Sequence, residues 1–287
     1  MSVLNAHVAL VSETQSVTFK QLAQVAAALQ KQVTRDFDPL WEVNATVNAF
    51  DSLESIPVDY WPVIIKDDID SPGAAGFHTD DHGQPFSLVQ FDNDWALTAS
   101  HETLEMLADP FGNRTLAGAP PPQLAGLPKA PHLERVVYLV EVCDPCETFT
   151  YQSNGHKVSD FITPHYYDPN AGQNVRYSFS GNVKEPHQVL EGGYVSFGNP
   201  ADNNWYQIIV TDGKAQLREL GKINAAGKSL RETIDRRVRE IRIKDRYRLK
   251  QKTVAAAAAA RPTEGTPFAD QSTHRAKYLR DYVKGLK

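Results

Sequence analysis

Cysteine is almost absent from this 287-residue chain: Cys143 and Cys146, in a single Cys-Asp-Pro-Cys, are the whole supply. That excludes a framework of several disulfides. It also excludes a structural zinc site built from two CxxC pairs, since no second pair exists. A thioredoxin-like pair should open a helix after a strand, whereas this one runs into Glu147-Thr148-Phe149-Thr150-Tyr151, which reads as another strand. The two thiols therefore read as incidental residues beside a turn. Long apolar runs are missing as well, and none approaches the roughly 20 residues needed to span a bilayer. Met1-Ser2-Val3-Leu4-Asn5 lacks the charged and apolar regions of a secretory signal, so a cytoplasmic protein with no membrane partner is expected. There is no basic excess: the net charge of -5 argues against a nucleic-acid partner. Without a P-loop, a GxGxxG after a strand or a GxSxG elbow, nucleotide-dependent and α/β-hydrolase chemistry lose their usual signatures.

What is present reads as mixed α and β structure. Val3 to Val11 is rich in β-branched residues and reads as a strand. Thr18-Phe19-Lys20-Gln21 fits a capping box. Phe19, Leu22, Val25, Ala26, Leu29 and Val33 then keep helical spacing to about Asp36, and Asp38-Pro39 should end the helix. Strands are expected at Ala45 to Phe50 and Trp61 to Ile65, followed by a polar, turn-rich stretch from Gly76 to Pro85. Phe86 to Phe91 reads as a short strand and Trp95 to Ala108 as a helix stopped by Asp109-Pro110 and Gly112. After a proline-rich loop, Val136 to Val142 reads as a buried strand, and Asn154-Gly155 is a strong hairpin signal. Tyr194 to Phe197, Trp205 to Val210 and Ala215 to Leu220 read as further strands. From Ser229 to about Lys252 the pattern is helical and basic, which suits either a solvated helix or one that contacts a partner.

The chemistry concentrates in His101-Glu102-Thr103-Leu104-Glu105 on the second long helix. His101 and Glu105 are four residues apart and share a face, so one imidazole and one carboxylate can reach a single ion. Glu102 is turned by about 100° from His101, and in the HExxH pattern that neighbour position holds the general base acting on metal-bound water. Asp109 lies about 12 Å further along the helix axis, too far to share the ion, and reads as a turn residue at the helix end or one that supports a ligand from behind. A third ligand must come from elsewhere. Glu141 and Asp144, at the end of the buried strand, are the leading candidates, ahead of His78, His82 and His165.

The element order ending in a helix that bears HExxE resembles the N-terminal half of a zincin-type metallopeptidase, over roughly residues 1–115. The resemblance implies zinc on His101 and Glu105, Glu102 as the base, and a strand at Phe86 and Leu88 as the edge that aligns an extended peptide. The chain departs from the usual motif in having Glu105 where the second histidine stands, and in lacking the glycine and third histidine of the metzincin extension. The expected fold is α+β, with a twisted mixed sheet, two main helices, a β-rich second half and a charged C-terminal helix. The expected organisation is a catalytic or pseudo-catalytic domain over 1–225, β-rich from about 132, then a charged helix over 226–254. An Ala-rich linker and tail follow over 255–287. The leading function is a zinc-dependent, metallopeptidase-like hydrolase with a peptide or protein substrate. The alternative is a non-catalytic zincin-fold protein that meets a protein partner through the C-terminal helix and tail.

Overall fold

The computed structural model describes residues 6–128, 130–168, 174–225 and 228–242. The chain separates into two compact units, Met1–Arg236 and Arg237–Lys287, and both the sheets and the candidate site belong to the first. The Ala-rich stretch and the tail, with the docking role expected of them, lie outside the described residues. Among the described residues no helix is long and apolar enough to cross a membrane.

The fold is α+β. Strand β1 (Ala6–Ser12) leads to helix α1 (Phe19–Lys31), which opens on the capping box read from the sequence, Thr18 with Gln21. Leu22, Val25, Ala26, Ala28 and Leu29 form its buried face. The helical path does not stop at Asp38-Pro39. A π-helical stretch, Gln32–Phe37, passes into a further turn, α2 (Asp38–Trp41), in which Pro39 sits near the start. There a missing N–H costs nothing, so proline continues the path instead of breaking it. Glu42, in the left-handed region at φ 54°, ends it.

Strands β2 (Ala45–Ala49), β3 (Tyr60–Lys66), β4 (Gly76–Asp81) and β5 (Gln84–Gln90) complete a five-stranded mixed sheet of order β2-β1-β3-β5-β4. All neighbours are parallel except β4 and β5, which form an antiparallel hairpin. Two expectations change here. The turn-rich stretch after Gly76 is mostly strand, with the turn confined to His82 and Gly83, both at positive φ. As a result Phe86 and Leu88 lie on an interior strand, paired on both sides, and the free edge belongs to β4. An apolar run announces a strand, but its place in the sheet depends on a partner that the run itself does not name.

Helix α3 (Trp95–Ala108) packs on this sheet and is buried on nearly every side from Ala99 to Ala108 except at His101. Its back is tied to the rest of the molecule by a polar relay. Ser100 Oγ donates to Gln32 Oε1 (2.8 Å) and accepts from Ser159 N (2.9 Å), while Gln32 Nε2 donates to the Ser159 carbonyl (2.9 Å). The relay fixes the rotation of α3, and with it the direction in which His101, Glu102 and Glu105 point.

The second half is β-rich. Strands β6 (Thr115–Gly118), β7 (Val136–Leu139), β10 (Tyr194–Gly198), β11 (Asn204–Thr211) and β12 (Lys214–Lys222) form an antiparallel sheet of order β12-β11-β10-β7-β6. The Asn154-Gly155 turn joins β8 (Thr150–Ser153) and β9 (His156–Ser159), as its residues predict. Strand β7 stops at Leu139, so the buried run Val140–Val142 continues as irregular backbone that carries Glu141 toward α3. Residues 230–242 are helical, and Ser229 caps that helix by accepting from Glu232 N at 3.0 Å.

Candidate metal centre

The segment after β7 delivers a second set of acids to α3. Cys143 leads into a single 3-10 turn, Asp144–Cys146, at the place where the two thiols read as lying beside a turn. In such a turn side chains three apart eclipse one another, so Asp144 and Glu147 come out on one side. Cys143 N donates to Glu105 Oε1 at 3.2 Å, which locks the turn to the helix.

His101 is the hub of the first cluster. Its Nε2 lies 3.2 Å from Glu105 Oε1 and 3.3 Å from Asp144 Oδ1, while its Nδ1 lies 3.7 Å from Glu147 Oε2. Asp144 Oδ1 and Glu147 Oε2 are buried and have no hydrogen-bond partner. Two compact donor sets therefore meet at this imidazole, His101–Glu105–Cys143 and His101–Asp144–Glu147, with the ligand atoms of each within 4.8 Å of one another.

Glu105 is shared with a second cluster on its other side. Its Oε2 accepts from Arg231 Nη2 at 3.2 Å. The same guanidinium lies 3.2 Å from Glu141 Oε1 and 3.6 Å from Glu102 Oε2, and it donates to the His78 carbonyl at 3.2 Å and to His78 Nδ1. His78, Glu105 and Glu141 form a third compact donor set. Arg231 reaches this place because the loop after α3 anchors its helix. Arg231 N donates to the Gly112 carbonyl (2.9 Å) and Leu230 N to Asn113 Oδ1 (2.9 Å). Gly112 has φ 59°, and a Cβ there would stand 3.0 Å from Arg231 Cβ, so only glycine suits the crossing.

The charges are strongly coupled. Burial would lower the basicity of His101, but Glu105 and Glu147 outweigh it and hold the imidazole well above its ordinary value. Burial would raise the Glu105 carboxyl, yet His101 and then Arg231 keep it well below the usual carboxylate range. Asp144 is pushed well up, first by burial and then by Glu105, and Glu141 is pushed up by burial against the pull of Arg231. Glu147, nearer solvent, is raised by burial too. Both thiols are free, and burial pushes both well up, which suits inert side chains better than nucleophiles.

The residues expected from the sequence divide as follows. His101 Nε2 meets Glu105 and Asp144, which belong to two separate donor sets, whereas Glu141 falls on the Arg231 side of Glu105, beside Glu102 and His78. Asp109 is a turn residue: its carboxylate accepts from Asn113 N and Arg114 N, and its carbonyl accepts from His78 Nε2 at 3.0 Å. His82 is exposed at the β4–β5 turn beside Asp81, and His165 sits on a separate 3-10 turn, Pro164–Tyr167. Three participants had no place in the sequence reading of the site or only a minor one: Arg231, Glu147 and His78. For Arg231, the burial of one basic residue in a basic helix leaves no local mark. A cleft of about 450 Å³ lined by Trp41, Arg114 and Tyr167 contains none of these groups.

The edge strand constrains the site through one residue. A Cβ on Gly76 would stand 2.8 Å from Thr98 Cγ2 and 2.9 Å from both Cγ and Oε1 of Glu102. Gly76→Ala is therefore expected to cost about 1–3 kcal/mol by overpacking and to displace Glu102. Urea unfolding reads the first effect, and a tolerated substitution with unchanged stability would show that β4 can lift off α3.

No family model matches the chain, and no curated protein or solved structure matches it.

Proposed function

We propose that the chain is a zinc-dependent hydrolase of zincin type, acting on peptides, with zinc held by His101, Glu105 and Asp144. The observation that carries the reading is the spacing at His101. Zinc bonds of about 2.0–2.2 Å set the donor atoms of a tetrahedron about 3.3–3.6 Å apart. The His101 Nε2 separations from Glu105 Oε1 and Asp144 Oδ1, 3.2 and 3.3 Å, are close to two such edges, and the two carboxylates, which belong to different donor sets, would close on each other around the ion. The buried and unpartnered Asp144 Oδ1 is a donor that a cation would satisfy. Glu147 stands on the Nδ1 side of the ring, where ligating histidines meet an orienting carboxylate. Zinc in such a site supplies Lewis acidity toward a carbonyl and toward water. Glu102 takes the proton, and the outer edge of β4, which no strand of the sheet pairs, offers backbone groups to an extended peptide.

One observation favours a non-catalytic protein of the same build: Arg231 already neutralises part of the acidic cluster. Zinc titration of the purified chain tests the metal centre on which the hydrolase reading depends. One equivalent is expected in the wild type, with affinity at least about 100-fold weaker in His101→Ala, since loss of even an orienting partner costs about 10–100-fold. Because His101 and Asp144 hold their protons to higher pH than usual, zinc must displace them. Affinity should therefore rise with pH, and calorimetry in buffers of different ionisation enthalpy should report proton release. A wild type that takes up no zinc, or a variant that binds as well, sinks the metal reading.

A further inference from the structure

The geometry points to a second cation position at His78, Glu105 and Glu141, filled from within the chain by the guanidinium of Arg231, which thereby limits the centre to one metal ion. The inference shares Glu105 with the zinc site proposed above, and its test reads an increment that does not depend on that site being occupied.

Four observations carry it. First, Glu105 is placed as a bridging carboxylate. Its Oε1 faces His101 and Cys143 N, and its Oε2 faces Arg231 Nη2 at 3.2 Å. In two-metal sites, ions about 3.5–4 Å apart share ligands of this kind. Second, His78 is held as a ligating histidine is held. A carbonyl only accepts, so the hydrogen bond from His78 Nε2 to the Asp109 carbonyl puts the ring proton on Nε2. That leaves the Nδ1 lone pair directed at the guanidinium. Third, neither Glu141 oxygen has a hydrogen-bond partner although the side chain is 8% exposed, and Oε1 points to Arg231 Nε at 3.2 Å. Fourth, the ligand atoms of His78, Glu105 and Glu141 lie within 4.8 Å of one another, the span of one ion's coordination shell.

A guanidinium suits the place because it stays charged when buried and offers donors in several directions at once. It supplies one positive charge to three buried carboxylates, Glu102, Glu105 and Glu141, and because it is covalently attached it cannot be exchanged or chelated away. Without it, the same groups present one imidazole nitrogen and two carboxylates to whatever cation is in solution, a donor set that accepts zinc.

The test is zinc chloride titration of the full chain, followed by elemental analysis after desalting. Arg231→Ala is expected to bind one equivalent more than the wild type, and its melting temperature should rise with zinc by more than the wild type's. Arg231→Lys keeps a cation in place and should gain no equivalent. Arg231→Ala with Glu141→Gln should fall back to the wild-type count. Adding His101→Ala to Arg231→Ala should remove the equivalent at His101 and leave the new one, so failure of the zinc reading and failure of this one are told apart. If Arg231→Ala does not fold in chelator, refolding it in zinc becomes the measurement, and recovery of the native circular dichroism with the extra equivalent supports the assignment. A folded Arg231→Ala with an unchanged count, or no recovery in zinc, overturns it.

Discussion

Glu102→Gln is expected to lower peptide hydrolysis by about 10²–10⁴-fold, the usual worth of a positioned general base, while leaving zinc affinity nearly unchanged. The substitution keeps the size of the side chain and removes its ability to take a proton. Glu102 is the right group for this change because one of its oxygens is uncommitted to a hydrogen bond, unlike either oxygen of Glu105. Glu105 spends one oxygen on Cys143 N and the other on Arg231. Glu102 Oε2, by contrast, is buried without a hydrogen-bond partner and has Arg231 Nη1 and His78 Nδ1 each at 3.6 Å. It is not a member of either donor set that meets at His101, so zinc binding should survive. The readouts are kcat/KM on a panel of unstructured peptides and the zinc content of the same preparation. Hydrolysis that survives the change would falsify the assignment of the base. Loss of zinc would make Glu102 a ligand instead, and a zinc-loaded wild type that cleaves no peptide would leave the non-catalytic reading in front.

The central part of this arrangement is legible in the sequence because it is local. His101 and Glu105 face one way by helical spacing alone, and the helix announces its own end at Asp109-Pro110. Asp144 is also within reach of sequence reasoning, since an acid beside a proline at the end of a buried run must be turned somewhere by the chain. What the sequence hides is long-range closure. His78 sits in a stretch of polar and turn-forming residues, and its burial comes from the Asp109 carbonyl and the guanidinium, both far away in the chain. Arg231 lies 126 residues from Glu105 on a helix whose basic residues all look alike, and the anchoring of Ser229–Arg231 on Gly112 and Asn113 selects it. The edge of the sheet was misassigned to Phe86 and Leu88 for the same reason. The apolar run marks β5 as a strand, but the hairpin with β4 decides which of the two lies at the edge. Local periodicity thus reveals which residues can act, and tertiary contacts decide which charges surround them.

Those surrounding charges give the largest effect on stability. Arg231→Met is expected to cost about 3–5 kcal/mol, the usual consequence of removing one partner from a buried ionic cluster. Methionine fills most of the volume, so the loss reports charge and not a cavity. The deficit should depend on pH in a definite direction. Glu141 is raised in the folded state by burial, with Arg231 pulling it back. A carboxyl raised on folding stabilises fully below its unfolded value of about 4.3 and loses that contribution as pH rises through its folded value. Without Arg231 it climbs further, so more is lost toward neutral pH. Glu105 behaves oppositely: it is held low by His101 and Arg231 against burial, and its contribution is present above about pH 4.3 and lost as pH falls. Removing Arg231 shrinks that contribution. The Glu141 change makes the variant's deficit larger at pH 8 than at pH 5, while the Glu105 change, complete above about pH 4.3, adds nearly equally at both; urea unfolding at the two values will measure the difference. Glu141→Gln in the Arg231→Met background should recover part of the loss, because it removes a buried charge that no longer has a counter-ion. A deficit below about 1 kcal/mol, or one equal at both pH values, would mean that water reaches these carboxylates and that the guanidinium is not what holds the cluster together.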